Sequence, residues 1–337
     1  MTDALSRLLA ERDWLMADGA TGTTLFNMGL SSGEAPEFWN ADEPDKIRAL
    51  YRGSVEAGSD IFLTNSFGGN ASRLRLHEAQ DRVHELNRLA GALAREVADA
   101  AGRPVVVAGS VGPTGEIMEP MGPLSYTRAV EIFHEQAEGL KEGGVDLLWV
   151  ETISAPDEYR AAAEASKLAG MPWCGTMSFD TAGRTMMGMT SAGLAELVEK
   201  LPHKPLAFGA NCGVGASDLL RTVLGFAAAG TEWPIIAKGN AGIPKYVDGH
   251  IHYDGTPELM ADYAVLARDC GATIIGGCCG TTPEHLQAMR AALETRPRGP
   301  RPSLDEITDR LGGFSSASDG TGDGEGPARA PRRRRRG

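Results

Sequence analysis

The chain has 337 residues, of which 42% are hydrophobic, and its formal net charge at pH 7 is −12. This length accommodates one large domain with an extension, or two smaller domains. The acidic balance argues against nucleic acid as a partner, and no apolar run approaches the roughly eighteen residues of a membrane span. The N-terminus lacks a signal-peptide pattern and the cysteines are odd in number, so we expect a cytoplasmic protein with reduced thiols.

Apolar runs typical of buried strands alternate with helical patterns along most of the chain. The expected strands are residues 14–17, 60–63, 105–108, 146–150, 173–179, 206–210, 235–238 and 273–275. A helical pattern follows each run, and we expect helix caps at Ser125, Thr256 and Thr282. Eight strands that alternate with helices over roughly 295 residues predict an α/β fold, a (β/α)8 TIM barrel, although a doubly wound open sheet shows the same alternation.

Polar residues at the strand ends favour closure of the sheet, because a barrel brings all those ends to one mouth. The residues concerned are Asp18, Thr64, Glu151, Cys212, Asn240, Cys278 and Cys279. We therefore expect residues 1–295 to form the barrel and residues 296–337 to form an extension. Within the extension, 303–311 has a helical pattern, and 312–337 is expected to be a disordered tail that ends in the basic run Arg332–Arg336.

Three cysteines are candidates for a metal site. Cys278 and Cys279 follow the eighth predicted strand and Cys212 follows the sixth, and these strands are near neighbours in a barrel. Zn²⁺ favours tetrahedral sulfur and nitrogen ligands and keeps one position open in catalytic sites, whereas iron–sulfur clusters usually use four cysteines in tighter runs. The adjacent pair alone is equally compatible with inert thiols or a vicinal disulfide. Cys174 and Cys270 are expected in the core.

Several segments resemble the motifs of one enzyme family. They are Asp18-Gly-Ala-Thr-Gly-Thr, Thr64-Asn-Ser-Phe-Gly-Gly-Asn70, Gly112-Pro-Thr-Gly-Glu116, Glu151-Thr-Ile, Gly209-Ala-Asn-Cys-Gly213 and Gly276-Gly-Cys-Cys-Gly-Thr281. In this order, over about residues 10–295, they resemble the zinc-dependent homocysteine S-methyltransferase family. The resemblance implies a (β/α)8 barrel and an enzyme that acts on small molecules and forms methionine from homocysteine.

The resemblance also implies roles for individual residues. It implies that the three cysteines hold Zn²⁺ and that Asp18 and Glu151 hold the homocysteine ammonium group. Backbone amides near Gly19 and Thr64 are expected to bind the homocysteine carboxylate. Asn240 matches a position that can supply the fourth zinc ligand when substrate is absent. A zinc-bound thiol is deprotonated, so the metal activates the substrate sulfur and no acid–base histidine is required.

The methyl donor is inferred from the loop after the first strand, which contains Phe38 and Trp39. Aromatic faces bind quaternary ammonium groups, so we expect a bacterial betaine-dependent member of the family with Trp39 in the donor site. Thr152 stands where the animal betaine enzymes have a tyrosine. S-methylmethionine is the next donor considered. The third reading is a homocysteine-activating module of a split cobalamin-dependent methionine synthase. The sequence is also compatible with a homo-oligomer.

Overall fold

The computed structural model describes residues 3–242, 245–247 and 250–321, with the backbone alone described at 245–247 and 250–252. The predicted basic run Arg332–Arg336 and the rest of the tail beyond residue 321 lie outside the described residues. Among the described helices, none is long and apolar enough to cross a membrane.

Ten strands are present in the described part of the chain. They are β1 Leu15–Met16, β2 Ile61–Leu63, β3 Val106–Val111, β4 Leu147–Ile153, β5 Trp173–Met177, β6 Phe208–Cys212, β7 Ile235–Gly239, β8 Lys245–Val247, β9 His250–His252 and β10 Ile274–Gly277. Eight of them form one sheet in the order β1-β10-β7-β6-β5-β4-β3-β2, and β8 and β9 form a separate antiparallel ribbon that the sequence analysis did not anticipate. These eight strands are close to the predicted ones.

The eight-stranded sheet is closed rather than open. Its paired strands are parallel throughout, and a parallel bridge between Ala17 and Ile61 joins β1 to β2, the two ends of the strand order. The backbone N–H of Asp60 donates to the carbonyl of Met16 at 2.7 Å across the same junction. The prediction of a (β/α)8 barrel is confirmed, and the carboxyl ends of all eight strands meet at one mouth.

Thirteen α-helices surround or cap the sheet in the described residues. They are α1 Ala4–Glu11, α2 Gly22–Asn27, α3 Trp39–Asp42, α4 Pro44–Glu56, α5 Ala71–Leu74, α6 Val83–Asp99, α7 Tyr126–Glu142, α8 Pro156–Leu168, α9 Ser191–Lys200, α10 Ala216–Ala228, α11 Pro257–Cys270, α12 Pro283–Thr295 and α13 Leu304–Leu311. The expected caps are present. The Ser125 and Thr256 side chains accept the backbone N–H groups of Arg128 and Leu259, and Thr282 forms a capping box with His285.

The core has two layers, as alternation along the strands requires. Leu15 and Ala17 point into the barrel, whereas Met16 between them packs outward against the helices. Leu5 and Leu8 of α1 belong to the interior cluster, so this helix, which the sequence analysis missed, covers one end of the barrel interior. Cys174 is buried in the interior layer and Cys270 in the outer layer, in line with their predicted core positions.

The extension begins with α13 and continues along α10. Ser217 Oγ donates to the carbonyl of Gly312 at 2.6 Å, and Asp218 Oδ2 accepts the N–H of Ser315 at 3.0 Å. Arg221, which is ion-paired with Asp218, donates to a further carbonyl in the same segment. Residues 312–321, which we expected to be disordered, thus contact the barrel without forming regular secondary structure.

Candidate metal centre and active site

Three thiols meet at the mouth of the barrel. The sulfur atoms of Cys212, Cys278 and Cys279 all lie within 4.8 Å of one another, and all three thiols are free. Tetrahedral zinc with bonds of about 2.3 Å separates its sulfur ligands by about 3.8 Å. Small side-chain adjustments therefore suffice to place one ion between these sulfurs, and the structure favours a metal site over a vicinal disulfide.

Backbone hydrogen bonds fix the two segments that carry the thiols. The N–H of Cys278 donates to the carbonyl of Gly239 at 2.7 Å, which extends the ladder between β10 and β7. The N–H of Cys279 donates to Asn240 Oδ1 at 3.1 Å, and Asn240 Nδ2 donates to the carbonyl of Gly213 at 3.0 Å. Asn240 therefore links the Cys279 turn to the segment after Cys212. Its amide oxygen is engaged there, which gives it a positioning role beside the predicted one as a fourth ligand.

Asn211 is a second organising residue, and the sequence analysis missed it. Its Oδ1 accepts the backbone N–H of Thr152 at 2.9 Å and the hydroxyl of Thr176 at 2.6 Å, while its Nδ2 donates to Thr152 Oγ1 at 2.8 Å. Thr152 and Cys212 both have positive φ, 62° and 58°, which is costly for residues other than glycine. Asn211 holds Thr152 in this conformation from the end of β6, across the intervening strand β5.

The three thiols hold one another in the protonated form. For Cys278, the hydrogen bond with Cys212 and burial raise the thiol pKa to about 12, against the opposing effect of Cys279. For Cys212, the bond with Cys278 lowers the pKa, but the bond with Cys279 and burial outweigh it and raise the pKa to about 11. A divalent cation among the sulfurs reverses this balance, because it favours the thiolates.

Beside the thiols lies a buried ion pair between Asp18 and Lys238. Lys238 Nζ is 2.6 Å from Asp18 Oδ1, and Asp18 Oδ2 accepts the N–H of Leu63 at 2.8 Å. Burial lowers the pKa of Lys238, but Asp18 and Glu151 outweigh it, so that the net shift is upward and the ammonium is charged. Both Asp18 oxygens are thus engaged inside the barrel. Lys238 lines the cavity, and the expected contact of Asp18 with the substrate ammonium group stays a prediction.

Glu151 remains available to a substrate. It lines the cavity, and its Oε1 accepts the hydroxyl of Ser110 at 2.6 Å. Burial raises the pKa of Glu151, while Lys238 and the Ser110 hydroxyl act in the opposite direction. A carboxylate in this position would gain stability from an incoming ammonium group, and the binding of that group by Glu151 stays a prediction.

One cavity of about 430 Å³ connects these groups with the loops above them. Gly19 and Thr64 line it as predicted, and a Cβ at Gly19 would lie 2.7 Å from the carbonyl oxygen of Thr281. The N–H of Thr64, however, donates to the carbonyl of Ala108 at 3.0 Å. The barrel ladder thus uses the amide of Thr64 itself, and binding of the substrate carboxylate by backbone amides near Gly19 and Thr64 stays a prediction.

The comparisons with known proteins agree with this geometry. The family model described as homocysteine S-methyltransferase matches residues 15–293. The chain belongs to the homocysteine S-methyltransferase family. It is 30% identical to the methionine synthase of Mycobacterium tuberculosis over 303 residues, which is 85% of this chain and 25% of that protein. It is also 30% identical to the methionine synthase of Mycobacterium leprae over 321 residues, which is 89% of this chain and 26% of that protein. The chain thus spans about a quarter of these relatives.

Solved structures show the same fold. The oxidized form of the homocysteine methyltransferase MmuM from Escherichia coli superimposes with a TM-score of 0.71 and 25% identity, covering 86% of this chain and 99% of that chain. Its metallated form gives a TM-score of 0.72 at 24% identity with the same coverage. The match therefore covers nearly the whole chain of the enzyme from Escherichia coli.

Trp39, which we expected in the donor site of this homocysteine S-methyltransferase family member, lies away from the cavity. Trp39 is 4% exposed, belongs to the core between sheet and helices, and does not line the cavity. Its indole N–H donates to Glu34 Oε1 at 3.0 Å, and Lys46 Nζ lies 4.2 Å from the ring centroid. The helix α3 starts at this residue and directs the ring into the core, and the role of Trp39 in the donor site stays a prediction that this burial does not support.

Further side chains near the thiols were missed. Tyr253 packs over Gly280, where a Cβ would lie 2.3 Å from Tyr253 Cγ, and its hydroxyl interacts with the Cys279 thiol. It places a phenol near the metal centre, where Thr152 supplies none. The burial of Lys238 could have been predicted from the sequence. This lysine ends an Ile-Ile-Ala run, so it is buried with the strand and needs an oppositely charged partner. Nothing in the sequence indicated that Tyr253 lies near the thiols, because its position depends on the fold around β8 and β9.

Proposed function

We propose that this chain catalyses zinc-dependent methyl transfer from a small onium compound, glycine betaine in the first instance, to the sulfur of homocysteine, giving methionine. The observation that supports it is the convergence of three thiols within 4.8 Å on a cavity that Glu151 and Lys238 also line. A metal-held sulfur and a pair of opposite charges suit a substrate that is both a thiol and an amino acid.

Each group of residues at the barrel mouth has its own role in this reaction. Cys212, Cys278 and Cys279 hold Zn²⁺, which when bound keeps the substrate thiol deprotonated at neutral pH. Glu151 accepts the ammonium group of homocysteine, and Lys238, held by Asp18, presents a cation to its carboxylate. These charges orient the amino acid so that its sulfur points to the thiols, and correct orientation is a major part of the rate of such a reaction.

The transfer itself needs no proton. The substrate sulfur attacks a methyl carbon of the donor, the S–C bond forms, and the C–N bond breaks with its electron pair remaining on nitrogen. Glycine betaine thus leaves as the neutral amine of dimethylglycine, and a sulfonium donor leaves as a thioether. This balance explains why the site combines thiols and carboxylates without an acid–base pair. The donor's positive charge is neutralised in the step, so acidic cavity walls favour its binding.

A second candidate is a homocysteine-activating module that receives its methyl group from methylcobalamin on a separate chain. Two observations favour it: the chain matches about a quarter of each methionine synthase, and apolar side chains are exposed on the connections at the barrel mouth. The exposed side chains are Leu76, Ile117, Met121 and Met186. A protein that carries a corrinoid would cover such a rim.

The deciding experiment is a panel of donors. Zinc-loaded protein is incubated with homocysteine and, separately, with glycine betaine, S-methylmethionine or methylcobalamin, and methionine is quantified. We expect turnover with a small onium donor, glycine betaine first. Methionine formed only from methylcobalamin would assign the chain to the module class, and no methionine from any donor would contradict the proposed reaction.

A further inference from the structure

The end of the cavity away from the metal centre is built from loops, and the proposed mechanism assigns no role to its charged groups. Glu37 lies on the 3₁₀ helix Pro36–Phe38, whereas Phe67 and Arg73 come from the connection after β2 and from α5. All three line the same cavity as Cys278. A carboxylate, an aromatic ring and a guanidinium group therefore surround one volume that opens towards the thiols.

Glu37 is a buried carboxylate whose hydrogen bonds come from the backbone rather than from a basic side chain. It is 4% exposed, and its Oε1 accepts the N–H of Gly68 at 2.6 Å. A Cβ at Gly68 would lie 3.0 Å from that oxygen, so glycine permits the close approach. In the described part of the chain, no basic side chain forms a salt bridge with Glu37.

The free-energy cost of burying the Glu37 carboxylate indicates that a cationic partner is missing. Burial raises the pKa of Glu37, and its backbone hydrogen bonds and the more distant charge of Arg73 oppose that effect. Carboxylates that leave water are normally paired, because an unpaired buried charge is expensive. A cation that enters the cavity would supply the absent charge at the wall that Glu37 forms.

Phe67 and Arg73 complete the set. Phe67 is 36% exposed, and its ring is held against Gly112, where a Cβ would lie 2.7 Å from two ring carbons. Arg73 extends over the connection after β3, with Nη1 3.1 Å from the position of a Cβ at Gly115. Aromatic faces attract onium groups, and guanidinium groups pair with carboxylates in a planar, bidentate manner.

We propose that Glu37, Phe67 and Arg73 form the methyl-donor subsite and select a zwitterionic onium compound. Glu37 and Phe67 contact the cationic group, and Arg73 binds the donor's carboxylate. This inference rests on the proposed function and deepens it, because it states the class of donor: a small molecule with an onium group and a carboxylate. Choline, which has the ammonium group without the carboxylate, matches only half of the subsite.

The test uses variants that remove one charge each. Glu37→Gln keeps the size of the side chain and an oxygen that accepts the Gly68 N–H. We expect the KM for glycine betaine to rise about tenfold, with the KM for homocysteine changed by less than about twofold. The second readout is competitive inhibition by 3,3-dimethylbutyrate, the isostere of betaine in which a neutral carbon replaces the ammonium nitrogen and the carboxylate is kept. Its inhibition constant should stay within about twofold, because that compound has no cationic group for Glu37 to contact.

Arg73→Gln, at an exposed side chain, supplies the complementary measurement. The KM for glycine betaine should rise about tenfold, whereas the inhibition constant of choline should not change, because choline has no carboxylate. Glu158→Gln is the matched control. Glu158 is also a buried carboxylate whose pKa burial raises, and it accepts the N–H of Thr114 at 2.8 Å, but it does not line the cavity. Its donor KM should equal that of the wild type.

The two levels of the proposal fail in different ways. If the wild type forms methionine from an onium donor while Glu37→Gln and Arg73→Gln leave the KM for glycine betaine and S-methylmethionine unchanged, the subsite is wrong and the proposed function stands. Equal effects of Glu37→Gln on betaine and on 3,3-dimethylbutyrate would also overturn it, since they indicate a change of shape rather than of charge. If the wild type uses neither onium donor, the proposed reaction fails and the subsite with it.

Discussion

The two ends of the cavity are constructed differently. At the barrel end, Glu151, Cys212 and Lys238 each lie within or at the end of a parallel strand, where the ladder fixes the backbone. At the loop end, Glu37 and Phe67 lie in connections and are held by contacts with Gly68 and Gly112. In the proposed reaction, barrel closure positions the reacting sulfur and the loop contacts select the donor. Substitutions at the two ends should have separable effects.

The largest effect is expected at the thiols. Cys212→Ala removes one of three sulfur ligands, and we expect loss of the roughly one equivalent of zinc and of methionine formation. Metal analysis of purified protein measures the first and product quantification the second. Cys270→Ala is the control, because that thiol is buried among the helices and should leave the zinc content unchanged. Stoichiometric zinc in the Cys212→Ala protein would refute the assignment.

The next effect is on stability. Lys238→Met leaves Asp18 and Glu151 without their buried cation, so we expect the free energy of unfolding to fall by about 3–5 kcal/mol in denaturant titration. The double variant Asp18→Asn, Lys238→Met should lose less than Lys238→Met alone, because no uncompensated charge remains at position 18. Lys200→Met removes an exposed pair with Glu196 and should leave the free energy of unfolding unchanged within the precision of the titration. A small loss at Lys238 would contradict the role of the ion pair.

A smaller effect is expected on the KM for homocysteine alone. Glu151→Gln removes the carboxylate that receives the substrate ammonium, and the KM for homocysteine should rise about thirtyfold while zinc stays bound. Ser110→Ala, which removes only the hydroxyl that positions Glu151, should raise the same KM about threefold. Steady-state kinetics with both substrates varied checks this. Equal changes in the KM of donor and homocysteine would erase the distinction between the two ends.

The smallest effect is expected at Trp39. Trp39→Phe removes the indole hydrogen bond to Glu34 and part of a buried ring, so the free energy of unfolding should fall by about 1–2 kcal/mol. The KM for the donor should stay within about twofold, in contrast to Glu37→Gln at the neighbouring helix. A large rise in donor KM with unchanged stability would restore Trp39 to the donor site.

Much of the barrel end was predictable from the sequence. Each strand is an apolar run that ends in a polar or glycine-rich turn, and the β/α alternation leaves few ways to arrange such runs. The thiols of Cys212, Cys278 and Cys279 were therefore placed together from strand ends alone. The same reasoning found the caps at Ser125 and Thr256, because capping depends on residues within one turn of the helix.

What the sequence did not show depends on loop geometry and on pairing across the barrel. Trp39 is close to Asp18 in the chain, but proximity along a loop does not fix the direction of a side chain, and the short α3 helix turns this ring into the core. The N–H of Thr64 looked free in the sequence, yet the neighbouring strand supplies its acceptor. A pattern of residue types contains neither piece of information.

The sequence by itself determined the closed barrel and the convergence of the three thiols, because these depend on periodicity and on residues at strand ends that closure must bring together, and its ordered motifs indicated the family. Only the tertiary structure decided how charge is distributed around the cavity. Asp18 and Lys238 are 220 residues apart and meet because β1 and β7 both pair with β10. A buried charge selects its partner by distance in space, and that distance is set by strand order and loop path rather than by position in the chain.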